Sequence, residues 1–143
     1  MPMSNTFELI DSDATEKFGA KLWEKLPEKA LIFLHGDLGA GKTTLVRGLL
    51  RAAGVTGAIK SPTYAVIEEY SVAQRKIFHF DLYRLADAEE LEWIGIDDYL
   101  NQNALCLIEW SCKGAGVLPK ADINIYLTHQ ENGRKLEIDD LNF

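Results

Sequence analysis

The 143 residues are enough for one ordinary domain and too few for two with separate cores, so a single domain over 1–143 is expected. Apolar residues make up 47% and charged residues 26%, a soluble globular balance that excludes a disordered chain, a collagen-like repeat and a coiled coil. Fifteen Lys and Arg against 22 Asp and Glu give a net charge of −7, which repels phosphate backbones and disfavours tight nucleic-acid binding by this chain alone.

In chain order, Phe7 to Ile10 reads as a short strand. Asp11 to Asp13 then offers capping oxygens, and Glu16 three residues after Asp13 makes a capping-box pattern. Ala14, Phe18, Leu22 and Leu26 recur every four residues, the period of a helix with one buried face, stopped by Pro27. Ala30 to Leu34 is a continuous apolar run, the pattern of a strand covered on both faces. Lys42 to Ala53 reads as a helix closed by Gly54. Tyr64 to Tyr70 and Lys76 to Leu82 read as strands, paired antiparallel across Ser71 to Arg75. On the second strand Ile77, His79 and Asp81 share one side. Asp87-Ala88-Glu89-Glu90 is another capping box, opening a short acidic helix broken near Gly95. Ala104 to Glu109 is a second buried strand, and Ile123 to Glu131 with Arg134 to Ile138 flank the hairpin signal Asn132-Gly133. The sum is an α/β fold, a mostly parallel sheet with flanking helices and antiparallel additions that include a C-terminal hairpin.

The longest apolar runs, five residues each, fall far short of the roughly 20 that span a bilayer, so no membrane segment is expected. The start of the chain lacks the basic and apolar stretches of a secretory signal. Cys106 and Cys112 make neither a disulfide framework nor a four-ligand metal site, and read as one core and one surface thiol. These features point to the cytoplasm.

Gly36-Asp37-Leu38-Gly39-Ala40-Gly41-Lys42-Thr43 fits G-x-x-x-x-G-K-[ST] at every required position, between a buried strand and a helix. Backbone N–H groups converge on phosphate oxygens in such a loop, and glycines permit the close approach. Lys42 supplies a point charge to the β and γ phosphates, Thr43 offers a hydroxyl to Mg2+, and the helix directs its positive end at the anion. From average residue frequencies the pattern arises by chance in about 0.5% of chains this long, so a nucleotide site is the expectation. No Asn/Thr-Lys-x-Asp guanine reader follows, which favours ATP over GTP.

Such a site also takes a carboxylate at a strand end, to hold Mg2+ directly or through water. Asp81 and Glu109 are the two candidates, and Glu109 follows the cleaner apolar run, so its strand is the better neighbour for the one before the loop. Either alone is also readable as a solvated strand-end carboxylate. Ser61-Pro62-Thr63-Tyr64 lies where a hydroxyl senses the γ-phosphate in P-loop switches, with Thr63 able to reach phosphate or metal; an ordinary turn fits as well. His79 reads as a hydrogen-bonded core histidine before it reads as a base, and Trp110 as packing or a partner contact. The carboxylates from Asp87 to Asp98 read as a solvated face.

The series G-D-L-G-A-G-K-T-T-L, K-S-P-T-Y, H-F-D-L-Y-R-L, E-E-L-E-W-I-G-I-D-D-Y and C-L-I-E-W-S closely resembles the TsaE (formerly YjeE) family, from about Asp11 through Ile138. That family is the ATPase component of bacterial tRNA threonylcarbamoyladenosine biosynthesis. The resemblance implies a P-loop ATPase that binds ATP or ADP with Mg2+ and hydrolyses ATP slowly. The implied partners are TsaD, which transfers threonylcarbamoyl to tRNA, and TsaB, with tRNA met only indirectly through the complex. Carried over by motif, the loop from Asp37, Leu38, Gly39, Ala40 and Gly41 to Lys42, Thr43 and Thr44 holds the nucleotide. Glu109 is then the metal-side carboxylate, and Asp81 a supporting catalytic or water-positioning group. Thr63 belongs to the switch-like segment, and Trp110 is functional at the site or a partner face. Ser12 to Thr15, with Ser12 and Thr15 at its ends, and Arg134 resemble positions that flank the nucleotide. The tail after Leu141 is very short here, so a role that a longer tail has in relatives is not carried over to it.

Two other readings compete. A small-molecule or nucleotide kinase on this fold needs an arginine-bearing lid, and Arg84 is the sole arginine between Arg75 and Arg134. A nucleotide-gated binding module with negligible turnover differs mainly in releasing no phosphate.

Overall fold

Asp11 starts the first helix in the computed structural model, which describes residues 5–60, 62, 66–140 and 143. Its carboxylate accepts from the Ala14 N–H at 2.8 Å, so the cap is Asp11 and not the Asp13–Glu16 pair. Among the described residues the chain forms strands β1 (Asn5–Leu9), β2 (Ala30–His35), β3 (Ile67–Val72), β4 (Arg75–Asp81), β5 (Ala104–Glu109), β6 (Ile123–Gln130) and β7 (Gly133–Ile138). The helices are α1 (Ser12–Lys25), α2 (Lys42–Ala53), α3 (Glu90–Trp93) and α4 (Ile96–Leu100), with a 3-10 turn at Ser111–Gly114. No helix among the described residues is long and apolar enough to cross a membrane.

The chain divides into two compact units. One, the loop unit, comprises Met1–Leu26, His35–Ile59 and Ile123–Phe143; the other, the carboxylate unit, comprises Pro27–Leu34 and Lys60–Asp122.

In the loop unit α1 buries Phe18 and Leu22, each contributing about 1.5–3 kcal/mol, together with Thr15 and Gly19. Ala14, expected on that face, is half-buried. Thr15 and Gly19 take the inner face because α2 comes too close for larger residues: a Cβ on Gly19 would lie 2.2 Å from the Leu45 carbonyl, and one on Gly48 would lie 2.1 Å from the Glu16 carbonyl. Helix α2 runs from Lys42 to Ala53 and ends on Gly54 as the sequence predicts. Strands β1, β7 and β6 form an antiparallel ribbon. Its C-terminal hairpin pairs Gln130 with Gly133, so the loop residues are Glu131 and Asn132. The expected Asn132-Gly133 turn is therefore shifted by one: Gly133 takes the positive φ of 115° after the turn, the geometry of a glycine bulge.

In the carboxylate unit β2, β5 and β4 run parallel and β3 adds antiparallel to β4. The parallel part is the sheet's core, and all six residues of β5 are buried. Strand β2 departs from the expected two-sided cover. Ala30, Ile32 and Leu34 are buried, while Leu31 and Phe33 sit half-exposed at the margin of a cluster centred on Phe78, Phe80, Cys106 and Ile108. Burial pushes the Cys106 thiol up to about 11, so it stays neutral and inert, whereas Cys112 is exposed. The β3 strand begins at Ile67; Tyr64 and Ala65, part of the expected strand, lie outside the described residues. The hydrogen bonds of the expected acidic capping box form, although α3 itself starts only at Glu90, with Glu89 as an N-cap that makes no side-chain capping bond. Glu90 accepts from the Asp87 N–H at 3.0 Å, and Asp87 accepts from the Glu89 N–H at 2.9 Å.

Candidate functional site

The loop from Gly36 to Thr43 turns back on itself through an Ala40 N–H to Asp37 carbonyl bond of 3.1 Å, leaving Asp37, Leu38 and Gly39 exposed and Ala40 buried. Gly41 caps α2 with φ 108°, a backbone only glycine adopts freely, and no side chain caps the helix. The first turn of α2 is thus presented by main chain alone, as an anion site requires. Lys42 is 5% exposed and donates from Nζ to the Gly36 carbonyl at 2.6 Å, so its ammonium is folded against the loop it follows. Thr43 and Thr44, next on the helix, are half-buried.

Arg134 braces this loop from β7. Its Nε donates to the Ala40 carbonyl at 3.0 Å and its Nη2 to the Gly39 carbonyl at 3.3 Å. Guanidinium bonds to the carbonyls of two successive loop residues fix the peptide planes between them. The sequence transfer placed Arg134 beside the nucleotide; the structure adds that it holds the loop. Arg134, Gly41, Thr44, Thr15 and Ser12 line one cavity of about 270 Å3, together with Ile10, Asp11 and Gly133. Thr15 is buried there and donates its hydroxyl to the Asp11 carbonyl at 3.2 Å.

In the carboxylate unit the parallel register sets Asp81 directly opposite Glu109, and His79 opposite Leu107. Side chains of His79, Asp81, Leu107 and Glu109 therefore share one sheet face, and Phe78, Phe80, Cys106 and Ile108 the other. Glu109 is 3% and Asp81 6% exposed, so neither is the solvated strand-end carboxylate of the plain alternative. Asp81 Oδ1 accepts from the Tyr83 N–H at 3.0 Å, an Asx-type turn that orients the carboxylate. His79 Nε2 lies 2.6 Å from Glu109 Oε2. This bears out the hydrogen-bonded core histidine and supplies its partner, which the sequence did not.

Two residues beside the carboxylates carry left-handed backbones. Val66 has φ 69°, a conformation costly for a β-branched residue, and its carbonyl accepts the Asp81 N–H at 2.9 Å. Trp110, immediately after Glu109, has φ 58°, and its half-buried ring meets Tyr83 at 5.0 Å. Neither strain is visible in sequence, because nothing local demands it. Thr63, with Ser61 and Tyr64, lies outside the described residues.

The donor set has a clear chemical character. Among the described residues no three His, Cys, Asp or Glu side chains gather as a complete metal cage. Asp81 and Glu109, opposite one another on one sheet face, are oxygen donors, which suit a hard cation that completes its shell with water and phosphate oxygens, the habit of Mg2+. The residues present fit that ion.

The family model for threonylcarbamoyl adenosine biosynthesis protein TsaE matches residues 9–136. The chain is 54% identical over 140 residues to the tRNA threonylcarbamoyladenosine biosynthesis protein TsaE of Haemophilus influenzae, covering 94% of this chain and 89% of that protein. It is 39% identical to the TsaE protein of a Nostoc species, covering 94% and 85%, respectively. The crystal structure of Bacillus subtilis YdiB shares the fold, with a TM-score of 0.80 at 24% identity over 94% of this chain and 84% of that one. The loop, the buried carboxylates and the match across nearly the whole chain converge: this protein belongs to the TsaE family of tRNA threonylcarbamoyladenosine biosynthesis proteins.

Proposed function

We propose that the chain is a Mg2+-dependent ATPase of the cytoplasm that works with TsaD and TsaB in making tRNA threonylcarbamoyladenosine, and that it meets tRNA only through that complex. One observation carries the reading: the loop before α2 offers main-chain donors without a capping side chain, with a buried Lys42 folded onto it.

In this reading the loop amides and Lys42 bind the β and γ phosphates of ATP, and Thr43 and Glu109 hold the metal. Bound Mg2+ would supply Lewis-acid stabilisation of charge on the phosphate oxygens. Asp81 positions a water for in-line attack on the γ-phosphorus, and the bond from that phosphorus to the β–γ bridging oxygen breaks, giving ADP and inorganic phosphate. Lys42 stabilises the charge that develops on the bridging oxygen. Ser12, Thr15, Thr44 and Arg134 flank the nucleotide, with Arg134 acting through the loop carbonyls it grips. Thr63 senses the γ-phosphate, and Trp110 serves the site or a partner face.

Phosphate release from ATP, measured with and without TsaB and TsaD, tests the proposal. Stimulation by these partners supports it, and Lys42→Ala should abolish both ATP binding by calorimetry and ATP-dependent support of threonylcarbamoyl transfer. Multi-turnover transfer retained by Lys42→Ala refutes it. A phosphorylated acceptor would make the chain a kinase, and binding without release a nucleotide-gated module.

A further inference from the structure

His79 is buried on β4 and has no part in the proposed function so far. It is 1% exposed, between Phe78 and Phe80, and one step behind Asp81 on the same sheet face. Because His79 stands opposite Leu107, Glu109 is its diagonal neighbour on β5, and the 2.6 Å contact runs along that diagonal. A carboxylate oxygen accepts, so the contact assigns the donor role, and with it the tautomer, to Nε2. The other ring nitrogen, Nδ1, is buried without a hydrogen-bond partner among the described residues.

That asymmetry is informative. Packing alone is served as well by an apolar side chain of similar size, without the cost of keeping an unpaired nitrogen dry. What the imidazole adds at this position is one N–H directed at Glu109 Oε2. We infer that His79 is a positioning residue: its Nε2–H pins the Glu109 carboxylate in one orientation, so that the carboxylate is already ordered when magnesium and ATP arrive. The inference rests on the assignment of Glu109 to the metal. Partners of this kind, which orient a ligand from behind, typically change metal affinity about 10- to 100-fold when removed.

The test compares His79→Leu, His79→Asn and His79→Gln in the full chain. Glutamine places an N–H₂ about where Nε2 lies; asparagine is too short to reach, and leucine has no donor. ATP binding is titrated against Mg2+ and repeated in EDTA. Leucine and asparagine should raise the half-saturating Mg2+ concentration about 10- to 100-fold with binding in EDTA unchanged, and glutamine should restore most of the loss. In a Glu109→Gln background, His79→Leu should have no further effect on the Mg2+ dependence. Without any nucleotide, 15N-labelled wild-type chain should show a His79 Nε2 proton resonance displaced downfield that moves on Glu109→Gln. The inference is overturned if leucine and asparagine titrate as wild type, if glutamine is as poor as leucine, or if losses are equal with and without Mg2+. Should His79→Leu not fold, the glutamine–asparagine pair and the resonance decide. A wild-type chain whose ATP binding ignores Mg2+ removes the Glu109 assignment itself, and this inference with it; unaffected variants of a Mg2+-responsive chain overturn the inference alone.

Discussion

In the loop unit, Lys42 apart, the groups that would meet a phosphate belong to the main chain, and what fixes them is largely the absence of side chains. Gly41 turns the loop into α2, and Gly19 and Gly48 let α1 and α2 lie with their backbones in contact. In the carboxylate unit the candidate groups are side chains, and what fixes them is strand register, an Asx-type turn at Asp81 and the His79 contact to Glu109. A main-chain site is broken by adding atoms, whereas a side-chain site is broken by removing a particular atom while keeping volume. The two units should therefore answer to different kinds of substitution.

The largest difference is expected at the carboxylates. Glu109→Ala should remove most of the Mg2+ dependence of ATP binding, while Asp81→Ala should leave more of it and act chiefly on phosphate release. Glu109 ends the fully buried β5 and is held from the side by His79, whereas Asp81 spends one oxygen on the Tyr83 N–H. A Mg2+ titration of ATP binding by both variants checks the order, and the reverse order exchanges the two roles.

The converse test falls on α2. Gly48→Ala adds one methyl group where the nearest atom is the Glu16 carbonyl oxygen at 2.1 Å, a backbone atom that cannot rotate away. Alanine gains about 0.8–1.0 kcal/mol of helix propensity over glycine. Overpacking costs about 1–3 kcal/mol or more, and a clash of backbone against backbone belongs at the upper end, so the net loss should be about 2 kcal/mol. Chemical denaturation of the apo chain measures it. Unchanged stability would mean that the helices part at little cost and that glycine contact does not fix the loop unit.

The same contrast explains what the sequence made legible. The candidate phosphate loop stood out because the pattern is local: its glycines and lysine fall within eight consecutive residues, and both ends of α2 emerge where expected. Glu109 and Asp81 could be named as strand-end carboxylates, but their pairing opposite one another depends on the β4–β5 register, which no local pattern encodes. For the same reason His79 could be assigned to the core without its partner. The roles of Gly19 and Gly48 were hidden because a glycine inside a helical pattern reads only as a weak helix former until a neighbouring helix is present. Arg134 was placed near the nucleotide by resemblance, yet its grip on the Gly39 and Ala40 carbonyls required the hairpin to be folded.

The smallest expected effect comes from the two hairpin turns, where the contrast between missing and present side chains recurs in miniature. Ala73 and Gln74 form the two-residue loop between Val72 and Arg75, with φ of 50° and 67°. Positive φ at both positions is the geometry that prefers Asn-Gly, and each ordinary residue held there costs about 1–2 kcal/mol. Both residues are exposed, so replacing them disturbs no packing. Ala73→Asn with Gln74→Gly relieves that strain, and the greater freedom of glycine in the unfolded chain returns about 0.4–1 kcal/mol. The net gain should be about 1 kcal/mol, or about 2–4 °C in Tm for a chain of this size. At the other turn the opposite holds. Gly133→Ala would add a Cβ 2.2 Å from the Leu9 carbonyl at a φ of 115°, so it should lower Tm where the first pair raises it. A rise in both, or a fall in both, would show that turn strain is absorbed elsewhere and that these loops are not where backbone geometry limits the fold.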